Sequence, residues 1–121
     1  AYVKNENILE LVNNLLETGY ETIAIISKNE EDAKIIYEEL KKEIDITLIT
    51  DKSNEYRGEI CSITSSLSKD LEFDSVIINK VDSDIFDIHN PYDMKLLYVS
   101  MTRALHEEII VYQNELVDVL K

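Results

Sequence analysis

Five short runs rich in β-branched residues constrain the fold of this chain more than any other feature. They are residues 22–27 (TIAIIS), 46–50 (ITLIT), 59–64 (EICSIT), 74–79 (DSVIIN) and 108–113 (EIIVYQ). Runs of this kind are typical of strands that are covered on both faces. Segments with helical spacing alternate with them, so the pattern predicts an α/β domain with a mostly parallel sheet.

The helices are predicted from apolar spacing and from signals at their ends. Asn29 is placed to cap a helix over 29–43 whose first turn is acidic, and Gly19 is placed to end an earlier helix. A helix around 93–105 follows Pro91, and a short helix over 114–120 closes the chain. The apolar positions of the first helix are Ile8, Leu11, Val12, Leu15 and Leu16.

Ligands of parallel sheets bind beyond the carboxyl ends of the strands. This rule points to residues 27–31, 51–53, 64–72 and 79–84. With 25 acidic and 12 basic residues among 121, the net charge is −13, so the domain as a whole repels nucleic acid. A phosphate site must therefore be local and built from a few Lys or Arg side chains. The length suits a single domain over 1–121.

Several kinds of site are excluded by the residues present. There is no P-loop or G-x-G-x-x-G motif, and two glycines could not build either. His89 and His106 have no partner at metal-ligand spacing, so no metal site is expected. The single Cys61 lies in a predicted strand, where packing is favoured, and it suits a reducing cytoplasm. No apolar run approaches the ~20 residues that cross a bilayer, so we expect a cytoplasmic protein without a membrane partner.

The segment 96–112 (LLYVSMTRALHEEIIVY) places an arginine in an apolar helix. Leu96 and Val99 lie on the far side from the predicted core stripe, which indicates a helix that is buried nearly all round. Arg103 lies opposite the centre of that stripe, and a partly buried guanidinium needs an anion. Spacing alone leaves a salt bridge and a phosphate contact equally open. The stripe consists of Met94, Leu97, Tyr98, Met101 and Leu105.

The segment 62–78 (SITSSLSKDLEFDSVII) is a second candidate site. A strand ends in the hydroxyl-rich residues 64–66, and Lys69 and Glu72 follow in a tight connection. Hydroxyls, a lysine and free backbone N–H groups suit a phosphate or a nucleotide at a strand terminus. A polar turn with a capping serine is the simpler alternative.

Together, these two segments resemble the last two conserved motifs of superfamily 1 helicases of the UvrD/Rep kind. KDLEFDSVII resembles the motif K-G-L-E-[FW]-x-x-V, and LLYVSMTRALHEEIIVY resembles L-x-Y-V-[AG]-x-T-R-A. The resemblance implies the C-terminal part of a second RecA-like motor domain, with the three-layer α/β fold of P-loop NTPases. The strand exit at 64–66 looks closer to the helicase IV-like branch, some of whose members act on RNA polymerase.

Position by position, the resemblance implies a role for particular residues at an ATP site. Arg103 would be the catalytic arginine finger that reaches the γ-phosphate, where it would stabilise developing charge. Glu72 would contact the ribose, and Lys69 would be the motif lysine in the same turn. Tyr98 and Thr102 would mainly support Arg103.

The resemblance also implies a nucleic-acid contact, and it has one departure. Thr64 and Ser66 would lie near the backbone of DNA, which we expect to be single-stranded. The family has glycine where this chain has Asp70. If that glycine uses a positive φ, Asp can adopt it at modest cost, but its charge beside a phosphate is unfavourable.

The P-loop and the metal-binding acids of a first motor domain are not in this chain. We therefore expect a C-terminal piece of a longer ATPase that is inactive alone. The implied partners are the first RecA-like motor domain of the same parent chain, which would hold ATP with Mg²⁺, and DNA. RNA polymerase is a further candidate partner.

Two other functions remain open. A degenerate helicase domain could serve as a non-catalytic platform for protein interaction, for instance on RNA polymerase, and Asp70 and the net charge of −13 favour it somewhat. A receiver-like signalling domain is suggested by the strand-end acid Asp51. That class needs paired acids after the first strand, where this chain has Lys28 and Asn29 first.

Overall fold

The computed structural model describes residues 2–4, 7–50 and 59–121. Its strands are β1 (Tyr2–Lys4), β2 (Ile23–Ser27), β3 (Thr47–Leu48), β4 (Ile60–Thr64), β5 (Phe73–Ile78) and β6 (Ala104–Tyr112). Its α-helices are α1 (Ile8–Thr18), α2 (Glu30–Leu40), α3 (Ser65–Ser68) and α4 (Pro91–Met101), and a 3₁₀ turn spans Asp118–Leu120. The predicted ligand region 51–53, with Asp51, lies outside the described residues.

The strands form one sheet in the order β1-β6-β5-β2-β4-β3, and every neighbouring pair is parallel. Every residue of β2 and β4 is buried, because helices cover both faces of the sheet. The predicted α/β domain with a parallel sheet is therefore confirmed. All described strands then direct their carboxyl ends to one edge of the sheet and their amino ends to the other.

Each face of the sheet buries its own hydrophobic cluster. Val12 of α1 and Ile36 of α2 pack with Ile25 on one face. Leu97 of α4 packs with Ile26 on the other. Ile25 and Ile26 are neighbours in β2, and they serve different clusters because successive strand side chains point to opposite faces. The central strands thus need apolar residues at nearly every position.

The ends of α1 and α2 carry the predicted signals. Gly19 has φ 105°, a left-handed conformation that glycine adopts without strain, and its N–H donates to the carbonyls of α1's last turn. The Asn29 side chain accepts a hydrogen bond from the Asp32 N–H at 2.9 Å, which caps α2. Both predictions are confirmed, although α2 ends at Leu40, before the predicted end at 43.

The predicted boundary between the last helix and the last strand is wrong. α4 ends at Met101 and β6 begins at Ala104, so Arg103 lies in the connection and not on the helix. Leu105 belongs to β6 and is 56% exposed. The parallel register shifts here, because three residues of β6 span the interval that two residues of β5 span, which is a β-bulge.

The predicted core stripe of α4 is also displaced. Tyr98 is 69% exposed, whereas the buried positions are Asp93, Leu96, Leu97 and Ser100. The buried face is rotated from the predicted stripe by about 100°, one residue step on a helix. The displacement arises because Asp93 and Ser100 have polar partners inside the fold. A pattern that counts only apolar residues assigns both to the surface.

Asp93 and Lys28 anchor the start of α4 to the sheet. The Lys28 Nζ lies 2.9 Å from Asp93 Oδ1, donates to the Ile85 carbonyl at 2.7 Å and sits 5.7 Å from the centroid of the Phe86 ring. Burial opposes ionisation of Asp93, but the Asp87 N–H and Lys28 hold the pKa of its carboxyl below the usual value. This network fixes α4 relative to the end of β2.

The C-terminal segment does not form the predicted helix over 114–120. The buried Asp82 carboxylate accepts hydrogen bonds from the backbone N–H groups of Gln113, Asn114 and Glu115 at 2.6–3.2 Å. Those amides are therefore engaged outside a helix, and only the 3₁₀ turn remains. The sequence patterns also did not predict β1 or α3, which have only three and four residues.

Ser75 provides a test of how the core beside β5 is packed. Its Oγ is buried without a hydrogen-bond partner among the described residues, so Ser75→Ala removes a desolvated hydroxyl at no cost in bonding. We expect the free energy of unfolding to stay unchanged or to rise by up to about 1 kcal/mol in urea denaturation.

Ser62→Ala is the matched control for Ser75→Ala. The Ser62 Oγ is equally buried but donates to the Ala33 carbonyl at 2.7 Å. Its loss should lower the free energy of unfolding by about 1–2 kcal/mol, because the carbonyl stays buried without that donor. Equal losses in the two variants would contradict the packing described here.

Candidate functional site

The two motif segments meet at the amino ends of β5 and β6. Phe73 and Ala104 are paired in register, so Glu72 and Arg103 directly precede two adjacent strands. The Phe73 N–H donates to the Arg103 carbonyl at 3.0 Å. Two residues 30 positions apart along the chain are thus in direct backbone contact.

The predicted ligand region 64–72 does not lie at one edge of the sheet. Thr64 ends β4 at the carboxyl edge, but α3 and the residues after it carry the chain to the amino end of β5. Glu72 and Arg103 therefore lie at the opposite edge from the one that the strand-end rule favoured. That rule applies to crossovers in which a long helix separates the two edges of the sheet. The connection from β4 to β5 has only eight residues, so one short segment reaches both edges.

The Arg103 guanidinium is held by neutral oxygens. Its Nε donates to the Val99 carbonyl at 3.1 Å, its Nη1 to the Leu71 carbonyl at 3.3 Å and its Nη2 to the Thr102 Oγ1 at 3.2 Å. The side chain is half-buried, and within the ranges that the structure describes no carboxylate pairs with it. The salt-bridge alternative therefore finds no partner there, and the positive charge is oriented without being neutralised.

Thr102 contacts Arg103 directly, whereas Tyr98 is linked to it only through Thr102. The Thr102 Oγ1 accepts from the guanidinium and donates to the Val99 carbonyl at 3.0 Å, so it ties the side chain to the end of α4. The Tyr98 carbonyl accepts the Thr102 N–H at 3.2 Å. The Tyr98 ring is exposed, so its link to Arg103 runs through the backbone.

The connection before β5 exposes its charged side chains. Lys69 and Glu72 are both exposed. Asp70 has φ 92°, in the left-handed region that favours glycine, and the Leu71 N–H donates to the Ser68 carbonyl at 3.0 Å to close the turn. The backbone here is thus of the kind that the motif glycine would adopt, and it aims the Leu71 carbonyl at Arg103.

Thr64 and Ser66 present their hydroxyls differently. The Thr64 Oγ1 caps α3 by accepting the Leu67 N–H at 3.4 Å, and the side chain is buried. The Ser66 Oγ lies 3.4 Å from the Thr64 Oγ1, and Ser66 is exposed. Of the two hydroxyls, Ser66 is the one that a ligand can reach.

A cluster of buried serines joins α3 to α4 and to the sheet, and the sequence patterns did not indicate it. The Ser100 Oγ lies 2.8 Å from the Ser65 Oγ and 2.9 Å from the Leu96 carbonyl. The Ser65 Oγ in turn lies 3.4 Å from the Ser27 carbonyl. A serine inside a helix often hydrogen-bonds the carbonyl four residues earlier, as Ser100 does with Leu96. A serine within a predicted apolar helix was therefore the signal that could have indicated a buried hydroxyl.

Other reactive groups of the described chain are not part of this site. Burial raises the pKa of the Cys61 thiol to about 12, so the thiolate needed for nucleophilic chemistry does not form near neutral pH. The His106 ring stacks on Tyr20, with 5.9 Å between the ring centroids. In the described ranges, no three His, Cys, Asp or Glu side chains are grouped as metal ligands. None of the helices there has the length and hydropathy of a membrane span.

The chain is similar to a solved structure of a domain from a possible helicase. That structure is the C-terminal domain of a possible DNA helicase from Lactobacillus plantarum WCFS1, with 27% sequence identity and a TM-score of 0.79. The similarity covers 98% of this chain and 76% of that one. No protein-family model and no curated protein matches the chain. The likeness supports a helicase C-terminal domain, and the all-parallel α/β sheet is consistent with the RecA-like fold.

Asp70 allows the strain in the motif turn to be measured. At φ 92° a glycine is relaxed and an alanine is not, so Asp70→Gly should be more stable than Asp70→Ala by about 1 kcal/mol. Thermal denaturation of both variants beside the parent chain checks this. An Ala variant as stable as the Gly variant would show that the turn does not hold this conformation in solution.

Proposed function

We propose that this chain is the second motor domain of an ATP-dependent DNA helicase or translocase of the UvrD/Rep kind. In this proposal Arg103 is the arginine finger for ATP held mainly by the first motor domain of the parent protein. The observation that supports it most directly is the geometry of Arg103, which is oriented beside Glu72 at an exposed edge of the sheet without a carboxylate partner in the described residues.

The contacts of Arg103 suit a residue that stabilises an anion from outside the domain. Carbonyl and hydroxyl oxygens fix the guanidinium, and no carboxylate among the described residues neutralises its charge. A γ-phosphate would supply the missing anion. A donor that is already oriented stabilises charge that builds up on phosphate without the cost of reorganisation.

Glu72 and Lys69 fit the remainder of an ATP site. Both side chains are exposed in the connection whose Leu71 carbonyl accepts from Arg103, and an exposed carboxylate can accept hydrogen bonds from ribose hydroxyls. Lys69 adds a cation that a phosphate can use. ATP supplies the phosphoryl group, and its Mg²⁺ would be held by the first motor domain. The residues of this chain would bind and orient the nucleotide only from one side.

The proposal places the nucleic-acid contact at Thr64 and Ser66, with single-stranded DNA as the partner. The exposed Ser66 hydroxyl at the carboxyl edge supports this, and the solved neighbour is described as part of a possible DNA helicase. The cytoplasm is the proposed location. RNA polymerase, as the partner of a helicase IV-like branch, is a finer proposal that rests on the strand exit at 64–66 alone.

A degenerate domain that serves as a protein-interaction platform is the second candidate function. Asp70 favours it, because a carboxylate next to Lys69 in the motif turn opposes phosphate binding electrostatically. The receiver-like alternative has no such support in the described residues. After β2 the chain has Lys28, which is engaged with Asp93, where that class needs an acid.

Arg103→Ala tests the arginine-finger role in the protein that includes both motor domains. We expect kcat for ATP hydrolysis to fall by about 10³-fold or more, because the variant loses the charge that stabilises the transition state. Lys34→Ala, which removes an exposed cation on α2, is the control and should leave kcat unchanged. The 121-residue chain alone should show no turnover. An unchanged kcat in Arg103→Ala would contradict the proposal.

Single-stranded DNA distinguishes a motor from a platform. In the protein with both motor domains we expect it to stimulate ATP hydrolysis, because a motor couples nucleic-acid binding to closure of the ATP site. A steady-state ATPase assay with and without an oligonucleotide measures this. Absence of hydrolysis under both conditions would favour the platform.

A further inference from the structure

A cleft between α3 and α4 has the chemistry of a polyanion site. It has a volume of about 200 Å³, and its polar lining includes Ser66, Lys69, Tyr92 and Lys95. Val99 forms part of its floor. No residue that lines the cleft is acidic, although the chain has 25 acidic residues. The cleft is therefore a local departure from a domain that repels anions as a whole.

The two lysines of the cleft are available to a ligand. Lys69 and Lys95 are exposed, and neither pairs with a carboxylate among the described residues. Lys28 and Lys80, in contrast, are held by Asp93 and Asp32 at 2.9 and 3.0 Å. Two lysines that have no carboxylate partner among the described residues thus lie together in the cleft.

Tyr92 gives the cleft an aromatic wall. It is the second residue of α4, next to Pro91, and it is 62% exposed although most of the chain's large apolar side chains are buried. An exposed ring beside lysines offers a stacking surface for a base. Aromatic rings that alternate with cationic side chains are the usual means by which proteins bind single strands without reading sequence.

We propose that this cleft binds the backbone of a single-stranded nucleic acid, with phosphates at Lys69 and Lys95 and a base against Tyr92. Lys69 then serves the nucleic acid and not ATP, and the ATP site keeps Glu72 and Arg103. The Ser66 hydroxyl adds a hydrogen bond to the nucleic-acid backbone, at the end of the cleft that lies toward the carboxyl edge of the sheet. This inference rests on the proposed function, and it extends the nucleic-acid contact from the strand exit at 64–66 onto α4.

The position of the cleft relates it to Arg103. Ser66 and Tyr92 lie toward the carboxyl edge of the sheet, and α4 runs from there to the amino edge. Val99 lines the cleft, and its carbonyl accepts the Nε of Arg103. A strand bound in the cleft therefore contacts the same helical turn that orients the arginine.

The experiment is an equilibrium titration of the 121-residue chain with a fluorescein-labelled oligothymidylate of about 15 nucleotides, a length within the range that one binding module covers. Anisotropy is measured at several salt concentrations for the parent chain, for Lys69→Ala/Lys95→Ala and for Lys34→Ala/Lys42→Ala. The last pair is exposed on or just after α2 and changes the net charge by the same two units.

We expect the cleft variant to bind about tenfold or more weakly and to lower the salt slope by about 1.4, which is ~0.7 for each lost phosphate contact. The α2 control should keep the parent slope. Tyr92→Ala should weaken binding with the slope unchanged, and Tyr92→Phe should restore it, because stacking needs only the ring. Circular dichroism melting confirms that each variant is folded.

Three results would overturn the inference: no binding by the parent chain, equal slopes in the two double variants, or polyglutamate competing as well as the oligonucleotide. The last would identify an acidic-peptide site instead. These outcomes are separable from failure of the proposed function, because the Arg103→Ala kinetics do not depend on Lys95 or Tyr92. If the two double variants show the same salt slope while Arg103→Ala still lowers kcat, the nucleic-acid cleft is rejected and the proposed motor function stands.

Discussion

The parallel pairing of β5 with β6 is the constraint on which the candidate site depends. Because Phe73 lies in register with Ala104, the residues before each strand are brought to one edge together. An antiparallel pair would place Glu72 and Arg103 at opposite ends of the sheet. The hydrogen bond from the Phe73 N–H to the Arg103 carbonyl fixes this arrangement at the point where the charged side chains begin. The location of the candidate site in this chain is therefore a direct consequence of the sheet topology.

Polar groups inside the α3–α4 face determine how α4 lies on the sheet. Asp93 bonds to Lys28 at the start of the helix, and Ser100 meets Ser65 near its end. Each of these buried groups has a partner, and an unpaired one would cost about 1–3 kcal/mol. The pair at each end fixes the rotation of the helix more specifically than apolar packing does, since a leucine tolerates small rotations and a hydrogen bond at 2.8 Å does not.

The elements that the sequence predicts well are those that a single physical rule determines. Apolar runs determine the central strands, and Gly19 and Asn29 determine the ends of α1 and α2. The errors occur where two rules compete. Around Arg103, helical spacing extends the helix to 105, but pairing with β5 draws residues from Ala104 onward into a strand. Motif resemblance predicted Glu72 and Arg103 as parts of one site, and the register shows that both lie at the amino edge.

The cleft and Arg103 share the last turns of α4, and this has a consequence for how the domain responds to a ligand. The Val99 carbonyl accepts from both Arg103 Nε and Thr102 Oγ1, so the guanidinium follows that turn as a unit. The start of the helix is fixed by Asp93 and its end by Ser100, and the exposed face between Lys95 and Thr102 is the part that an external contact can reach. A ligand on that face can move Arg103 only if it binds one position of the helix more tightly than another. The difference between the two binding free energies limits how far the equilibrium shifts. Coupling between nucleic acid and nucleotide in such a domain would therefore be carried by α4, with the central sheet as the fixed reference.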